Sequence, residues 1–508
     1  MNSLFIIPFS NHYWHAIFTN FVLCTNTHHL FVRRISMSEE FERNDEQFDS
    51  VLEQYESMLK ENKVFFFDLE HFEEIFDHYF AKNKISKAEK VLSIAQDQHP
   101  YSASLITRHA QILLRRKKVD KAIDLLDKLL HLEPGNPDLF LLLAEAYSEK
   151  GEVEKSVRCY LGALPFMEKE EHDYVYMDIA GEYLSNANYE KALEYLQMAL
   201  EVNPYNDLIY LDVLFGAQVL EKVEFALDLY QKQIDKDAYN HLAWFYSGVA
   251  LADLDRIEES IEAFDYACII EPNFSEAFYQ KAEMLMSIHK YEEAIGVLKD
   301  LKEDMRHSAA ASYMLGECYE NMSQWHDALH YYRSAAKIDP LFADAWLSIG
   351  VVIFKLGNPD EALAYVKKAL KLDPGNVDAY IYLGDIKKER GFFEEAIQAY
   401  QKAEELDKTV LDLWLNYSDL LVQMDNVPAA IDLMKKGSEY FKEAPEMLYR
   451  WACYEYLQGN KQLAYLLIED AVVMNANIAE NELFSYVPMM KNDTTILHII
   501  YRNKQNEN

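Results

Sequence analysis

The sequence predicts an all-α protein built from stacked pairs of helices. The first observation is internal repetition, because the stretch that begins at Ala309 is followed 34 residues later by a similar stretch at Ala343. The second is composition: half of the 508 residues are hydrophobic, whereas only 15 are Gly and 13 are Pro. The third is that no alternating strand pattern bounded by turn dipeptides stands out. Together they indicate a solenoid, which grows by stacking and needs no single large core.

Both copies carry the same kinds of residue at the same spacing: a large residue and Gly in a first helix, then Ala and a large residue in a second, and Pro at its end. In the first copy these are Leu315, Gly316, Tyr319, Ala328, Tyr332, Ala335 and Pro340. In the second they are Trp346, Ile349, Gly350, Ile353, Ala362, Val366, Ala369 and Pro374. With these landmarks the chain resembles the tetratricopeptide-repeat (TPR) proteins. The resemblance implies a right-handed superhelical solenoid of helix-turn-helix repeats.

Each landmark has a mechanical role. Small residues let two helix axes approach closely, so we expect Gly316 to face Ala328, and Gly350 to face Ala362, at the crossing of the two helices. Pro340 ends the second helix, because Pro has no N–H to donate and disfavours helical geometry in the residue before it. The next repeat is expected to begin just beyond.

Twelve repeats are predicted over residues 69–478. They begin near Leu69, Ala103, Pro137, Asp173, Asp207, His241, Ser275, Ala309, Ala343, Val377, Leu411 and Pro445. Every step is 34 residues except the one from Pro137 to Asp173, which is 36. The two extra residues are expected around Met167 to Glu170, in a polar loop that can absorb them. The small residue of the second helix occupies the same position in every repeat. It is Ala everywhere except at Ser156 and Ser260.

Residues 1–36 differ from the rest of the chain. They contain no acidic residue and only Arg33 and Arg34 as strong bases, whereas Met37 opens into an acidic stretch. We interpret 1–36 as an atypical extension that lies upstream of a true start at Met37; a peripheral anchor is the alternative. The run from Ala16 to Val32 is too polar and too short to span a bilayer.

The two ends of the repeat series are predicted to be capped. Residues 37–68 form an acidic segment in which Phe41, Phe48, Leu52, Tyr55 and Leu59 recur at helical spacing, which predicts an amphipathic helix. Such a helix can cover the first repeat, and docking of a partner is the alternative. Residues 479–508 are predicted to form one or two short capping helices and a tail.

Charge and cysteine content restrict the class of protein. The net charge of −36 opposes binding to nucleic acid or to anionic membranes, so no nucleic acid and no membrane is expected as partner. The five cysteines are widely spaced, with no Cys-x-x-Cys pair, so neither a zinc cluster nor a disulfide framework is indicated. A reducing compartment fits best, and we expect a cytoplasmic protein.

The sequence contains no recognisable catalytic or cofactor site and no convincing metal site. Phosphate-binding glycine loops and nucleophile elbows are missing from the sequence. His71, Glu74 and His78 share a helical face, but a fourth ligand is not evident. His326 and His330 are weaker still. The basic run Arg115 to Lys118 occupies a predicted turn, where a solvated surface is the default and a phosphate contact is the alternative.

The resemblance implies a binding surface on the first helices, which line the inner wall of a TPR superhelix and usually take a peptide. The first wall position is the residue directly after the first-helix aromatic or its substitute, and the second wall position is four residues further along, on the same face. The candidate peptide-binding residues at these positions are Phe245, Tyr279, Glu283, Tyr313, Glu317, Leu347, Ile381 and Asp385. For any apolar residue among them, packing against the neighbouring repeat is the alternative.

The wall residues indicate the kind of partner. TPR domains that bind acidic chaperone tails have Lys at the first position and Asn at the second, and this sequence has neither there. Its wall is apolar and aromatic with interspersed carboxylates, which favours apolar and basic segments. We therefore predict a non-enzymatic scaffold for protein or peptide partners; the alternative is a substrate-recognition or regulatory subunit of an enzyme encoded elsewhere. The oligomeric state is left open by the sequence.

Overall fold

The computed structural model describes residues 45–61, 65–301 and 308–504, and these are helical with short turns and no strand. The all-α prediction is confirmed. The chain divides into two compact units, Met1–Glu271 and Pro272–Asn508. The predicted extension 1–36, the start at Met37, Phe41 and the tail beyond residue 504 lie outside the described residues.

The described part of the first unit contains thirteen α-helices and two 3₁₀ turns. The helices are α1 (Asp45–Glu61), α2 (Leu69–Ala81), α3 (Ile85–Gln98), α4 (Ala103–Arg115), α5 (Val119–Leu132), α6 (Pro137–Glu149), α7 (Val153–Ala163), α8 (His172–Ser185), α9 (Tyr189–Val202), α10 (Asp207–Val219), α11 (Val223–Lys236), α12 (His241–Asp253) and α13 (Ile257–Ile270). The 3₁₀ turns are Leu164–Phe166 and Lys169–Glu171.

The described part of the second unit contains fourteen α-helices. They are α14 (Ser275–Ser287), α15 (Tyr291–Asp300), α16 (Ala309–Asn321), α17 (Trp325–Ile338), α18 (Ala343–Lys355), α19 (Pro359–Leu372), α20 (Val377–Glu389), α21 (Phe393–Leu406), α22 (Leu411–Gln423), α23 (Val427–Ser438), α24 (Pro445–Leu457), α25 (Lys461–Met474), α26 (Ala479–Tyr486) and α27 (Thr494–Lys504). A 3₁₀ turn, Pro488–Asn492, joins the last two.

From α2 to α25 the helices alternate as first and second helices of pairs, and within each unit neighbouring helices pack on one another. The first helices begin at the residues named above as repeat starts, except that α8 begins at His172 rather than Asp173. The longer step before it is taken up by the two 3₁₀ turns between α7 and α8. Side-chain caps fix several of these starts; for example, the Asn240 side chain accepts a hydrogen bond from the backbone N–H of Ala243.

The turn between the two helices of a pair needs one residue in the left-handed region, where φ is positive. Glycine meets this need without a steric penalty, as at Gly151, whereas Ala187 adopts a φ of 55° at the corresponding place. The positive-φ residues are Asn83, Lys117, Gly151, Ala187, Glu221, Asp255, His289, Ser323, Gly357, Gly391, Asp425 and Gly459. Their spacing repeats that of the helix pairs, so the turn geometry is as regular as the helices.

The small residue of the second helix is fully buried in every pair. Ser156 and Ser260, which replace Ala, are also fully buried, and each hydroxyl donates to a first-helix carbonyl: Ser156 to Ala144 at 2.9 Å and Ser260 to Gly248 at 2.8 Å. A buried hydroxyl without a partner would be costly, so these bonds explain why Ser is accepted there. The alanines are Ala88, Ala122, Ala192, Ala226, Ala294, Ala328, Ala362, Ala396, Ala430 and Ala464.

The crossing expected at Gly316 and Ala328 also involves Tyr332 of the second helix. A Cβ on Gly316 would meet the Tyr332 ring at 2.5 Å, so the glycine makes room for this aromatic residue of the second helix. Gly350 does approach the second-helix backbone, because a Cβ there would lie 3.3 Å from the Ala362 carbonyl oxygen. At both glycines the nearest neighbour is the side chain sixteen residues later: the Tyr332 ring at Gly316, and at Gly350 the Cγ2 of Val366, which a Cβ would meet at 2.9 Å.

Further helices lie before and after the alternating pairs. Helix α1 buries Tyr55 and Met58 against the aromatic core of α2, where the Tyr79 hydroxyl donates to Glu56 at 2.9 Å. Helix α26 begins at Ala479, which is 34 residues after the start of α24 at Pro445. It packs on α24 while α27 packs on α25. The last two helices therefore continue the spacing of the pairs, although the sequence landmarks stop before them.

Candidate functional site

Three of the predicted peptide-contacting residues are core residues. Phe245 is 2% exposed, Leu347 8% and Ile381 4%. The ring of Phe245 lies 5.6 Å from that of Phe264, which belongs to the second helix of the same pair. The first wall position therefore points partly toward the second helix, where apolar side chains gain by leaving water. These three side chains therefore pack inside the protein, which was the alternative to ligand binding, and they offer little surface to a ligand.

Tyr279 and Tyr313 are half-buried. The Tyr279 hydroxyl lies 2.8 Å from the Ser308 hydroxyl. The ring of Tyr313 lies 5.4 Å from that of Tyr332, across the pair, and 4.9 Å from that of Phe342, which precedes the next first helix. Each tyrosine thus has part of its ring in the core and part at the surface, as amphipathic side chains often do.

Glu283 and Glu317 occupy the second wall position on the neighbouring first helices α14 and α16. Burial raises the pKa of Glu283. Burial, and then the negative charge of Glu283, raise the pKa of Glu317 to about 8. The two carboxyl groups therefore lie close enough to repel each other, in surroundings that disfavour their ionised forms.

The polar contacts of these two glutamates are local. Gln280, one turn earlier on α14, donates to Glu283 at 3.4 Å. Tyr313, four residues before Glu317 on α16, hydrogen-bonds to it. No ion pair with a basic side chain is made by either glutamate within the described residues. A ligand that carries a positive charge could supply the missing partner.

Asp385 holds the same wall position on α20 but is already bonded within the protein. It is 8% exposed and accepts hydrogen bonds from the Tyr400 hydroxyl at 2.6 Å and from Asn416 Nδ2 at 3.1 Å. Lys388 Nζ also lies 3.3 Å from its Oδ1. The structure thus separates Asp385 from the two glutamates, because its carboxylate is satisfied by neighbouring side chains.

A recurring contact explains this difference. In several pairs, the residue directly after the first wall position donates to the wall carboxylate of the preceding first helix, 31 residues earlier. The contacts are Arg108 Nη2 to Asp77 Oδ2 at 2.8 Å, Asn416 Nδ2 to Asp385 Oδ2 at 3.1 Å, and Arg450 Nη1 to Asp419 Oδ1 at 2.5 Å. The corresponding residues for Glu283 and Glu317 are Met314 and Ser348. Met314 has no donor, and Ser348 donates at 3.5 Å to Tyr313 instead.

Arg108, Asn416 and Arg450 were not among the residues predicted from the sequence. The available signal was their constant position, next to a wall residue and 31 residues after an acid. The two wall positions of a repeat do not reveal it, because the donor lies beside the first wall position of the next first helix.

Other groups considered for chemistry are held in local contacts. The His78 ring lies 5.2 Å from the Phe48 ring, and its Nε2 lies 3.2 Å from Lys82 Nζ. No set of three His, Cys, Asp or Glu side chains in the described part of the chain could hold a metal ion. Cys159, Cys318 and Cys453 are free thiols. Across the same residues, no helix combines the length and the apolar content that crossing a bilayer requires.

Comparison with known families identifies the repeat. One family model described as tetratricopeptide repeat matches residues 74–137, 313–377 and 354–410. Two further models with the same description match residues 113–165 and 174–206. These matches fall in both units of the chain. No curated protein matches the sequence.

Solved structures give a partial likeness. A TPR protein from Thermus thermophilus is 25% identical, with 36% of this chain and 99% of that one covered and a TM-score of 0.32. The Cut9–Hcn1 hetero-tetramer of the APC/C is 15% identical over 83% of this chain and 90% of that one, with a TM-score of 0.40. A tetratricopeptide repeat protein from Parabacteroides merdae is 15% identical over 49% and 98%, with a TM-score of 0.39. These scores are low, so the family models and the repeat geometry carry the assignment.

Proposed function

We propose that this chain, which is a tetratricopeptide-repeat protein, is a non-enzymatic scaffold that holds protein partners against the first helices of its repeats. The repeat family supports the role, since its members bind other proteins. The sequence supports it further, because it contains no phosphate-binding glycine loop and no nucleophile elbow. The alternative, a recognition or regulatory subunit of an enzyme encoded elsewhere, uses the same surface and differs in what the partner does.

The observation that carries the proposal is the pair Glu283 and Glu317. Their carboxyl groups are half-buried on adjacent first helices and lack the cross-repeat donor that the equivalent aspartates have. Burying a charge without a partner costs free energy, whereas a positively charged group from outside would remove that cost. The pair is therefore a favourable place for a Lys or Arg side chain of a partner.

The surroundings of the two glutamates indicate the rest of the partner segment. Tyr279 and Tyr313 lie one helical turn before them and expose part of their rings. A partially exposed tyrosine offers apolar area at low entropic cost, and such residues often carry much of the binding energy at interfaces. The proposed ligand is thus a segment in which basic and apolar side chains are close together.

The experiment uses the full chain and an array of immobilised peptides that combine Arg or Lys with Leu or Phe, together with acidic peptides of equal length. We expect the basic and apolar peptides to bind. The double variant Glu283→Gln and Glu317→Gln should weaken their binding by about tenfold or more, because charge-assisted contacts are lost. The weakening should shrink at high salt, since charge interactions are screened.

The matched control makes the same change, from carboxyl to amide, in the same two repeats, at the exposed second-helix positions Glu292→Gln and Asp327→Asn. This control should leave peptide binding nearly unchanged. Equal weakening by the control would show that overall charge, and not the wall, attracts the peptides. Preference for the acidic peptides would contradict the proposed chemistry of the partner.

A further inference from the structure

A cavity of about 220 Å³ lies between α3 and α4 in the first unit. Its apolar lining comes from Leu92, Ile112 and Leu113. The volume is several times the roughly 30 Å³ that a water molecule takes in the liquid, so a small polar group and a few carbon atoms fit. The remaining lining residues are Glu89, Ser93, Gln96, His109, Arg116 and Lys118.

Arg116 is held in place at the cavity by a fork of hydrogen bonds. Its Nε donates to Glu89 Oε1 at 3.0 Å and its Nη2 donates to Glu89 Oε2 at 2.7 Å. Nη2 also lies 3.3 Å from the Ser86 hydroxyl. This geometry fixes the guanidinium plane, while Nη1 makes no hydrogen bond to any described residue. Arg116 therefore keeps donor capacity for an additional group.

Lys118 and His109 line the same cavity as Arg116. The pKa of Glu89 is lowered chiefly by its hydrogen bond from Arg116, and the charges of Lys118 and His109 contribute to the lowering. Neither Lys118 nor His109 forms a hydrogen bond through its side chain within the described residues. One carboxylate, already bonded through both oxygens, thus faces three groups that can carry positive charge. The cavity has an excess of donors in a chain whose net charge is −36.

The cavity is separate from the wall positions. With 3.6 residues per turn, His109, Ile112 and Arg116 lie about half a turn around α4 from the wall residues Thr107 and Gln111. A group bound in the cavity would therefore lie on a different face of the helix from a peptide on the wall. The cavity can be occupied whether or not the wall binds a partner.

We infer that this cavity binds a phosphoryl group. A phosphate dianion has three strong acceptor oxygens, which match the free donors of Arg116, Lys118 and His109. The neutral donors Ser93 and Gln96 add further capacity, and the apolar residues suit the carbon chain of an ester. The same chemistry could come from a small phosphate in solution or from a phosphorylated side chain of a protein.

The test titrates the full chain with two probes: inorganic phosphate, and a phosphoserine peptide with leucine on both sides of the phosphoserine. The unphosphorylated peptide is the reference. We expect saturable binding of the probes. Calorimetry and the shifts of the His109 imidazole NMR signals measure it. A phosphopeptide that binds more tightly than inorganic phosphate would identify a protein source, whereas equal affinities would identify a small phosphate.

The variant Lys118→Gln should weaken binding of both probes by about tenfold, because a charge-assisted hydrogen bond is lost. It should fold normally, since Lys118 makes no side-chain cap of α5. The matched control is Lys117→Gln, whose Nζ instead lies 2.8 Å from Glu149 Oε1. The inference is overturned if neither probe saturates by about 10 mM, which corresponds to negligible affinity. It is also overturned if the control weakens binding as much as Lys118→Gln.

Discussion

Arg450 and Asp419 join two consecutive first helices, with Arg450 Nη1 donating to Asp419 Oδ1 at 2.5 Å. The guanidinium of Arg450 also lies 3.3 Å from the centroid of the Tyr486 ring, on the following helix α26. Asp419 accepts further hydrogen bonds from the hydroxyls of Tyr454 at 2.9 Å and Tyr486 at 3.3 Å. At this end of the chain, the wall carboxylate and its partners connect three helices, α22, α24 and α26.

The variant Arg450→Met should therefore destabilise the C-terminal pairs. The Arg450 side chain is only 5% exposed, and its loss leaves Asp419 as a largely buried charge without its cation. Breaking such a pair costs about 3 kcal/mol. Urea unfolding gives the total loss, and hydrogen exchange should place it in α22 to α27, because contacts in a solenoid are between neighbours.

The control for that variant is Lys435→Met, which removes an exposed ion pair with Asp432 on the same helix. Surface pairs of this kind contribute little, so the control should change stability by less than about 1 kcal/mol. If the two variants lose the same stability, the network around Arg450 is not a structural connection between helices.

A second prediction concerns the glycines of the first helices. A Cβ on Gly384 would lie 2.5 Å from Cε1 of the buried Tyr400, so Gly384→Ala should overpack the crossing and cost roughly 1–3 kcal/mol. The Cβ of Gly296→Ala, within α15, would meet no atom within 4 Å. That variant should stabilise the helix by about 0.5–1 kcal/mol, since Ala is the better helix former. Thermal melting distinguishes the two, and changes of the same sign would refute the packing argument.

The third prediction is a dependence of stability on pH. The pKa of Glu317 rises from 4.5 to about 8 in the folded chain. Between these two values the folded state holds a proton that the unfolded state releases, so stability decreases as the pH rises from 4.5 towards 8. The variant Glu317→Gln does not titrate there, so between pH 4.5 and 8 it should lose less stability than the parent, by several kcal/mol, because one pKa unit corresponds to about 1.4 kcal/mol.

Urea unfolding of the parent chain and of Glu317→Gln at several pH values measures this effect. The exposed Glu292 on α15 provides the control, because Glu292→Gln should leave the pH dependence of the parent chain intact. Parallel curves for the parent and Glu317→Gln between pH 4.5 and 8 would contradict the burial of this carboxyl group.

Much of the fold could be predicted because the residues that shape each helix pair lie within that pair's own stretch of sequence. Gly350, Ala362 and Pro374 mark a crossing, a buried contact and a helix end within a short stretch of chain. Local rules of this kind are repeated along the chain, so the helix positions follow from the sequence. For the last pair, α26 and α27, the sequence predicts only capping helices, because the packing of this pair on α24 and α25 does not depend on the landmark residues.

The candidate site could be predicted only in part. The two wall positions were identified from helical spacing, which gives the direction of a side chain but not how deeply it is buried. Phe245, Leu347 and Ile381 therefore appeared as candidates although they lie in the core. Asp385 and Glu317 looked equivalent as well, and what separates them is the donor that the next helix supplies.

The sequence by itself determined the class of fold, the phase of the small residues and the positions on each first helix that share a face. These properties are set by contacts within a pair, which lie close together in the chain. Only the tertiary structure decided that Asp385 is bonded to Asn416 while Glu283 makes no such bond with the next first helix, where the equivalent residue is Met314. The reason is physical: the free energy of a carboxylate depends on its burial and on the charges around it, and both are fixed by how neighbouring pairs stack.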